Sequence, residues 1–233
     1  MNKKIVITGA TKGLGRAVAE KFAGGGFDLA LCARSENDLQ QLHSAILQPN
    51  MNVLTQSCDV SRKEEVDRFA ANITKQFGAV DIIVNNAGIF LPGQVFSEPE
   101  GTLEKLMATN LYSAYHLTRA LLPDMIKRKS GHVFTLCSVA SIGAYPNGGS
   151  YSISKFALLG FTKALREELK PFNIKVTAII SGAAYTDSWK ESGLPESRFM
   201  KAGDIGQAIW DIYHLSENTV VEEILLRPMK GDI

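Results

Sequence analysis

A short apolar run rich in valine and isoleucine, then a longer amphipathic segment, recurs from one end of this chain to the other. The runs are KKIVITG (3–9), FDLALCA (27–33), MNVLTQSCDV (51–60), VDIIVNN (80–86), GHVFTLCS (131–138), IKVTAII (174–180) and EEILLRP (222–228). Runs this continuously apolar fit strands covered on both faces, because a half-exposed strand would alternate apolar with polar. The segments between them carry helical spacing. Residues 13–24 set Leu14, Val18, Ala19 and Phe22 on one face. Ser35 before Asp38 and Ser61 before Glu64 have the form of capping boxes, predicting helices over about 36–47 and 62–77. Further helices are predicted over about 101–129, with a kink at Pro123, over about 150–170, and over about 203–215.

Strand alternating with helix predicts an α/β fold: a doubly wound, Rossmann-type parallel sheet of about seven strands with helices on both faces. Right-handed crossovers then put a nucleotide site where the strand order reverses. No Pro/Gly/Ser-rich linker divides the chain, so residues 1–233 read as a single dinucleotide-binding and catalytic domain.

A formal charge of +1 leaves no electrostatic footprint for nucleic acid or an anionic membrane. No apolar run approaches the roughly 20 residues that cross a bilayer. The start, MNKKIVITGATKGLG, runs straight into a glycine turn, so no signal peptide is expected. Cys32, Cys58 and Cys137 form no C-x-x-C and sit in apolar runs, which predicts buried, reduced thiols and a cytoplasmic location. The four histidines show no metal-ligand spacing, so no metal is expected.

The first run ends in TGATKGLG (8–15). Gly9 permits a tight turn, Gly13 lets the backbone approach phosphate, and Gly15 lets the following helix pack close to the strand. The helix start then offers unpaired N–H groups and a positive dipole end to a pyrophosphate. Further along, Tyr151 precedes Lys155 by one helical turn in GSYSISKFAL. With six tyrosines in the chain, about 0.4 such pairs would arise by chance, so the pair is weak alone and gains meaning from its company.

That company is ordered along the chain. Thr8-Gly9-x-x-x-Gly13-x-Gly15 is followed by Asp59-Val60, then Asn85-Asn86-Ala87-Gly88, Asn110, Ser138, the Tyr151/Lys155 pair, Ser181-Gly182 and Thr186. The series resembles the short-chain dehydrogenase/reductases over nearly the whole chain. The resemblance implies that Tyr151 is the acid that protonates a carbonyl. Lys155 would favour the tyrosinate by its charge and hold the nicotinamide ribose. Ser138 would hold and polarise the substrate carbonyl, and Asn110 would support a water relaying protons to Lys155. Cofactor contacts would come from Gly9, Thr11, Lys12, Gly13, Leu14, Gly15, Arg34, Asp59, Val60, Asn86, Ala87, Gly88, Tyr151, Lys155, Gly182 and Thr186. Ser138 also reads as a turn or cap residue, Asn110 as a backbone-satisfied helix residue, and Asn86 as a sheet-edge brace. A homodimer or homotetramer is implied, through the 101–129 and 150–170 helices or the last strand.

The cofactor form is argued from charge. An NAD site usually ends its second strand with an acid for the ribose 2′-hydroxyl. Here Leu31-Cys32-Ala33-Arg34-Ser35 has none, while Arg34 and Lys12 offer cations for a 2′-phosphate, so NADPH is predicted.

Where the family usually has Pro-Gly after its sixth strand, this chain has Ser181-Gly182. The segment DSWKESGLPESRFMKAGD would cover the substrate, with Trp189 the foremost lid residue and Leu194, Phe199 and Met200 beside it, or it is ordinary packing. The tail, VVEEILLRPMKGDI, is similar to those of bacterial sepiapterin reductases. That implies a pterin side-chain carbonyl as one substrate, with Asp232 on the pterin's polar edge, or else Asp232 caps a surface tail. A 3-oxoacyl thioester or a small ketone is the alternative substrate. A non-catalytic dinucleotide sensor is the alternative of another class.

Overall fold

β1 (Lys4–Thr8) is the pivot of a seven-stranded sheet. The other strands are β2 (Asp28–Ala33), β3 (Val53–Ser57), β4 (Ile82–Asn85), β5 (Gly131–Ser138), β6 (Ile174–Ser181) and β7 (Glu223–Leu226). Their order is β3-β2-β1-β4-β5-β6-β7, and every neighbouring pair is parallel. The chain steps outward one way from β1 to β3, then returns to the other side of β1 with β4. The carboxyl ends of β1 and β4 therefore flank the switch point, where a crevice opens in this class of sheet. This computed structural model describes residues 2–186, 189 and 192–233.

The helices are α1 (Gly13–Gly24), α2 (Glu36–Ile46), α3 (Lys63–Phe77), α4 (Thr102–Met107), α5 (Ser113–Arg128), α6 (Gly149–Leu169) and α7 (Ala202–Tyr213). β1 shows why its sequence is apolar throughout. Ile5 and Ile7 join a core with Val18 and Phe22 of α1, Leu39 of α2 and Ile209 of α7. Val6, between them, joins the opposite core with Phe69 of α3, Leu121 of α5 and Leu165 of α6. Successive side chains point to opposite faces, and each face is roofed by helices.

Two local expectations are corrected. Ser61 does not cap α3: its N–H and hydroxyl both donate to Asp59 Oδ1, at 3.0 and 2.7 Å. Glu65, rather than Glu64, reaches back, accepting the Asp59 N–H at 2.7 Å. A nearer carboxylate has outcompeted the helix for the serine. The 101–129 stretch is also divided. α5 continues through Pro123, and the interruption falls earlier, in a π turn over Ala108–Tyr112 where Ser113 N–H bonds to Ala108 C=O. Such a turn accommodates an extra residue and is frequent at functional sites.

His132, on β5, is 2% exposed. Its Nε2 lies 2.8 Å from Thr177 Oγ1, and Thr177 spends its own proton on Val221 C=O. The imidazole proton therefore sits on Nε2, leaving Nδ1 buried without a partner. Burial, then the charges of Lys175 and Arg166, push this histidine down to about 3. The unfolded chain takes up a proton below about 6.5 that the folded chain refuses, so stability is full above that pH and drains as pH falls towards about 3. Urea unfolding at pH 7 and pH 5 should show His132→Gln losing about 2 kcal/mol less than wild type over that interval. Equal losses in the two proteins would refute the buried neutral imidazole.

Candidate active site

The glycine-rich loop follows β1 at the switch point. Gly9 and Gly13 have φ of 64° and 52°, the left-handed region that favours glycine. A Cβ on Gly15 would lie 2.4 Å from both Gly9 O and Asn86 Nδ2, so the residue has no room for a side chain. The start of α1 has no side-chain cap and no acid in its first turn. Its first N–H groups are thus open to an anion, and Thr11, Lys12 and Leu14 bracket them.

β4 supplies the other lip. Asn86 Nδ2 donates to Thr8 O at 2.8 Å and Gly9 O at 3.0 Å, stapling the NNAG segment onto the loop. In return, Thr8 Oγ1 accepts the N–H groups of Asn86 and Ala87, at 3.1 and 3.0 Å. Asn86 braces the sheet edge and lines the crevice at once. Thr8 belongs to the quoted motif but carried no assigned role, because its partners lie 78 and 79 residues away.

At the far end of the crevice, Arg34 follows β2 and is exposed. The exposed Lys12 lies 3.7 Å from the half-buried Asp38, a contact worth little and readily exchanged for a phosphate. Asp59 sits in the third-strand loop with Val60. The Ser61 hydroxyl bond, the Ser61 N–H bond and the Arg34 and Arg62 charges hold its carboxyl below the usual value, against the opposing effect of burial.

The chemistry-bearing side chains gather where β5, α6 and the π turn meet. Lys155 is 6% exposed. Its Nζ donates to Leu136 C=O at 3.0 Å and lies 5.9 Å from the centre of the Tyr151 ring. A Cβ on Gly88 would lie 3.6 Å from that Nζ and 3.2 Å from Asn110 Oδ1, so all three residues share one small space. Asn110, in the π turn, is 1% exposed. Its amide donates to Ile89 C=O at 3.1 Å and Ser154 Oγ at 2.9 Å, and accepts Ile89 N–H at 2.8 Å. Ser154 donates onward to Tyr151 C=O at 2.8 Å. Sequence reasoning passed over Ser154, although its place three residues after Tyr151 was a signal.

Ser138 ends β5, paired in register with Ser181 of β6. Its Oγ accepts Ala140 N–H at 3.1 Å, and its own N–H donates to Ser141 Oγ at 3.1 Å. It is therefore a cap, as one reading allowed, yet its hydroxyl proton is not consumed by that role. The turn it caps, Val139–Ser141, packs on α6. Phe90 meets the Tyr151 ring edge-on at 4.9 Å. Burial, and then the neighbouring Tyr151, push Tyr145 up to about 12, so it stays a phenol. Neither Phe90 nor Tyr145 was singled out from sequence.

The last strands close the site. Gly182 N–H donates to Leu226 C=O at 2.8 Å. A Cβ on Gly13 would lie 3.0 Å from Thr186 Cγ2, which places Thr186 against the glycine-rich loop. Trp189 is half-buried, its ring 5.3 Å from that of Phe199, which also packs on Tyr185 at 5.6 Å. Phe199 is buried, Met200 packs against the core and Leu194 is exposed. Asp187, Ser188, Lys190 and Glu191 of the covering segment lie outside the described residues. Asp232 Oδ1 would stand 3.0 Å from a Cβ on Gly182, while its Oδ2 pairs with Arg227 at 2.8 Å.

A glycine loop at the switch point, a stapled NNAG lip and a buried lysine beside a tyrosine define a dinucleotide-dependent oxidoreductase site. The short chain dehydrogenase family model matches residues 3–196, and the chain belongs to that family as one of its oxidoreductases. It is 34% identical to the sepiapterin reductase of Chlorobaculum tepidum, over 100% of this chain and 99% of that one. It is 37% identical to dehydrogenase/reductase SDR family member 7B of Xenopus tropicalis, over 78% of this chain and 61% of that longer protein. Among solved structures, an alcohol dehydrogenase from Thermococcus sibiricus complexed with 5-hydroxy-NADP superposes with a TM-score of 0.91. That pair is 27% identical, covering 100% of this chain and 99% of the other.

Proposed function

We propose that the protein reduces a carbonyl to an alcohol using NADPH. The observation that carries this reading is Lys155: a buried side-chain ammonium with one protein acceptor, beside a tyrosine. Leaving such a cation underpaired in a core is costly, and a chain keeps it where a ligand completes its shell.

When bound, NADPH supplies the hydride. Tyr151 gives its phenolic proton to the carbonyl oxygen. Ser138, whose oxygen is held by Ala140 N–H, turns its hydroxyl proton towards the same oxygen and stabilises developing charge there. Lys155 uses one N–H on Leu136, and its other two serve the ribose hydroxyls and favour the tyrosinate left behind. Asn110 has spent both amide protons and one lone pair, and its remaining Oδ1 lone pair is available to hold a relay water.

Choice of NADPH is assigned to Arg34 and Lys12, whose contact with Asp38 is weak enough to give way to a phosphate. It is supported by the NADP-type ligand of the Thermococcus relative. Arg34→Ala should lower kcat/KM for NADPH about ten- to a hundredfold and leave the NADH value nearly unchanged. A wild-type preference for NADH would end the assignment.

A sepiapterin-like dicarbonyl is the favoured substrate, on full-length similarity to the Chlorobaculum enzyme. Asp232 pairs with Arg227 through Oδ2, which leaves its Oδ1, beside Gly182, for such a substrate. A panel of dicarbonyls, 3-oxoacyl thioesters and small ketones, assayed by NADPH oxidation, tests the whole reading. If NADPH binds and no carbonyl is reduced, a dinucleotide sensor replaces it. Self-association is assigned to the outer face of the π turn and α6, where Tyr112, Ile153 and Phe156 are exposed, in a cytoplasmic protein.

A further inference from the structure

α6 carries both Tyr151 and Lys155, yet it starts without a cap of its own. The residue before it is Gly148, with no side chain to accept an N–H, and its first turn holds no acid. The first N–H groups of a helix need acceptors from outside it. One comes from far away in sequence: Glu98 Oε1 accepts Ser150 N–H at 2.8 Å, across 52 residues.

The chain around this bond is pared down to let it form. A Cβ on Gly149 would lie 1.8 Å from Glu98 Oε1 and 2.6 Å from Gly93 O. A Cβ on Gly93 would lie 2.6 Å from Glu98 Cγ. Gly93 N–H donates to Asn147 C=O at 3.0 Å, tying the same segment to the loop before α6. The segment's other end is equally held, since Asn110 grips both the N–H and the C=O of Ile89. Between these anchors Phe90 lies edge-on to Tyr151. Residues 89–98 thus form a strap from the NNAG lip, past the Tyr151 ring, to the first turn of the catalytic helix.

We propose that Glu98 is a positioning residue: by capping α6 from the strap, it fixes the first turn and so the aim of the Tyr151 phenol. Tyr151 is the residue directly after the capped Ser150, so movement of that N–H is movement of the tyrosine's backbone. A carboxylate is also suited to the positive end of a helix. The proposal rests on the carbonyl-reduction reading for its effect on rate, and on Ser150 alone for the cap.

The test compares Glu98→Ala with Glu98→Gln, which keeps an Oε1 acceptor. Four quantities are read: kcat and KM for a carbonyl reduced by the wild type, NADPH Kd, and hydrogen exchange at the Ser150 amide. Glu98→Ala should lower kcat about ten- to a hundredfold, as small misplacements of a reacting group do. NADPH Kd should stay within about twofold, since Glu98 lies at the end of the strap away from the NNAG lip that is tied to the glycine loop, and Ser150 exchange should rise about tenfold or more. Glu98→Gln should restore most of both losses. Unchanged kcat in Glu98→Ala, with Tyr151→Phe inactive, overturns the positioning role and leaves the reading of function standing. Unchanged Ser150 exchange overturns the cap whether or not any carbonyl is reduced. A Gln variant as impaired as Ala shows that charge, rather than the hydrogen bond, matters, and also overturns the proposal. If the wild type reduces no carbonyl, the proposed function falls and the exchange measurement alone decides the cap.

Discussion

Tyr151→Phe should slow carbonyl reduction about a hundred- to ten-thousandfold while leaving NADPH binding nearly intact. The substitution removes one oxygen and keeps the ring. Phe90 still meets that ring, and Lys155 still donates to Leu136 C=O. The first-turn hydrogen bonds run through the backbone of Ser150 and Tyr151, which the change does not touch. Fold and cofactor site therefore persist, and the loss falls on the proton transfer. NADPH oxidation with saturating carbonyl, beside a direct titration of NADPH, separates the two. A phenylalanine variant as fast as wild type would show that the proton comes from elsewhere.

Gly15→Ala should cripple the cofactor site from the opposite end. Its new methyl would stand 2.4 Å from Gly9 O and 2.4 Å from Asn86 Nδ2. The first is backbone and cannot swing aside. The second is tied to Thr8 O and Gly9 O, so relieving the clash breaks two hydrogen bonds. Two lost bonds at about 1 kcal/mol each, plus overpacking, give a destabilisation of about 3–5 kcal/mol. NADPH affinity should fall about a hundredfold or more, because the loop and the start of α1 move apart. Gly24→Ala, at the far end of the same helix, is the control. Nothing lies within 4 Å of its Cβ, so it should be neutral or slightly stabilising. Unfolding curves and NADPH titrations of both variants check this. A Gly15→Ala protein as stable as Gly24→Ala would refute the close packing.

How far the chain could be read before folding follows from the range of each interaction. Runs such as KKIVITG and IKVTAII announced strands because burial on both faces demands apolar residues at every position. The observed strands begin and end within a few residues of those runs. Helix α2 began where Ser35 said it would, its Oγ accepting Asp38 N–H at 3.2 Å. The same pattern at Ser61 misled, since the serine turns its N–H and hydroxyl back onto the carboxylate of Asp59, two residues earlier, instead of lending its oxygen to the N–H groups of the helix start. Local pattern reports what a residue can do, and its neighbours choose among the options. The break near Asn110 had no sequence signal apart from the asparagine itself, while the conspicuous Pro123 sits in continuous helix.

The amino-acid sequence by itself determined the alternation of strand and helix, the glycine loop between β1 and α1, and a tyrosine and a lysine one turn apart. Each depends on residues within a few positions of one another, where backbone geometry is periodic. Only the tertiary structure decided the strand order, which brings Gly9 beside Asn86 and Ser138 beside Ser181. It also decided that Asn110 grips Ile89 and Ser154, that Thr8 holds the NNAG lip, and that Glu98 caps α6. Those bonds join groups 21 to 79 residues apart. A serine, asparagine or glutamate has many possible partners, and only packing of the whole sheet and its helices leaves each with one.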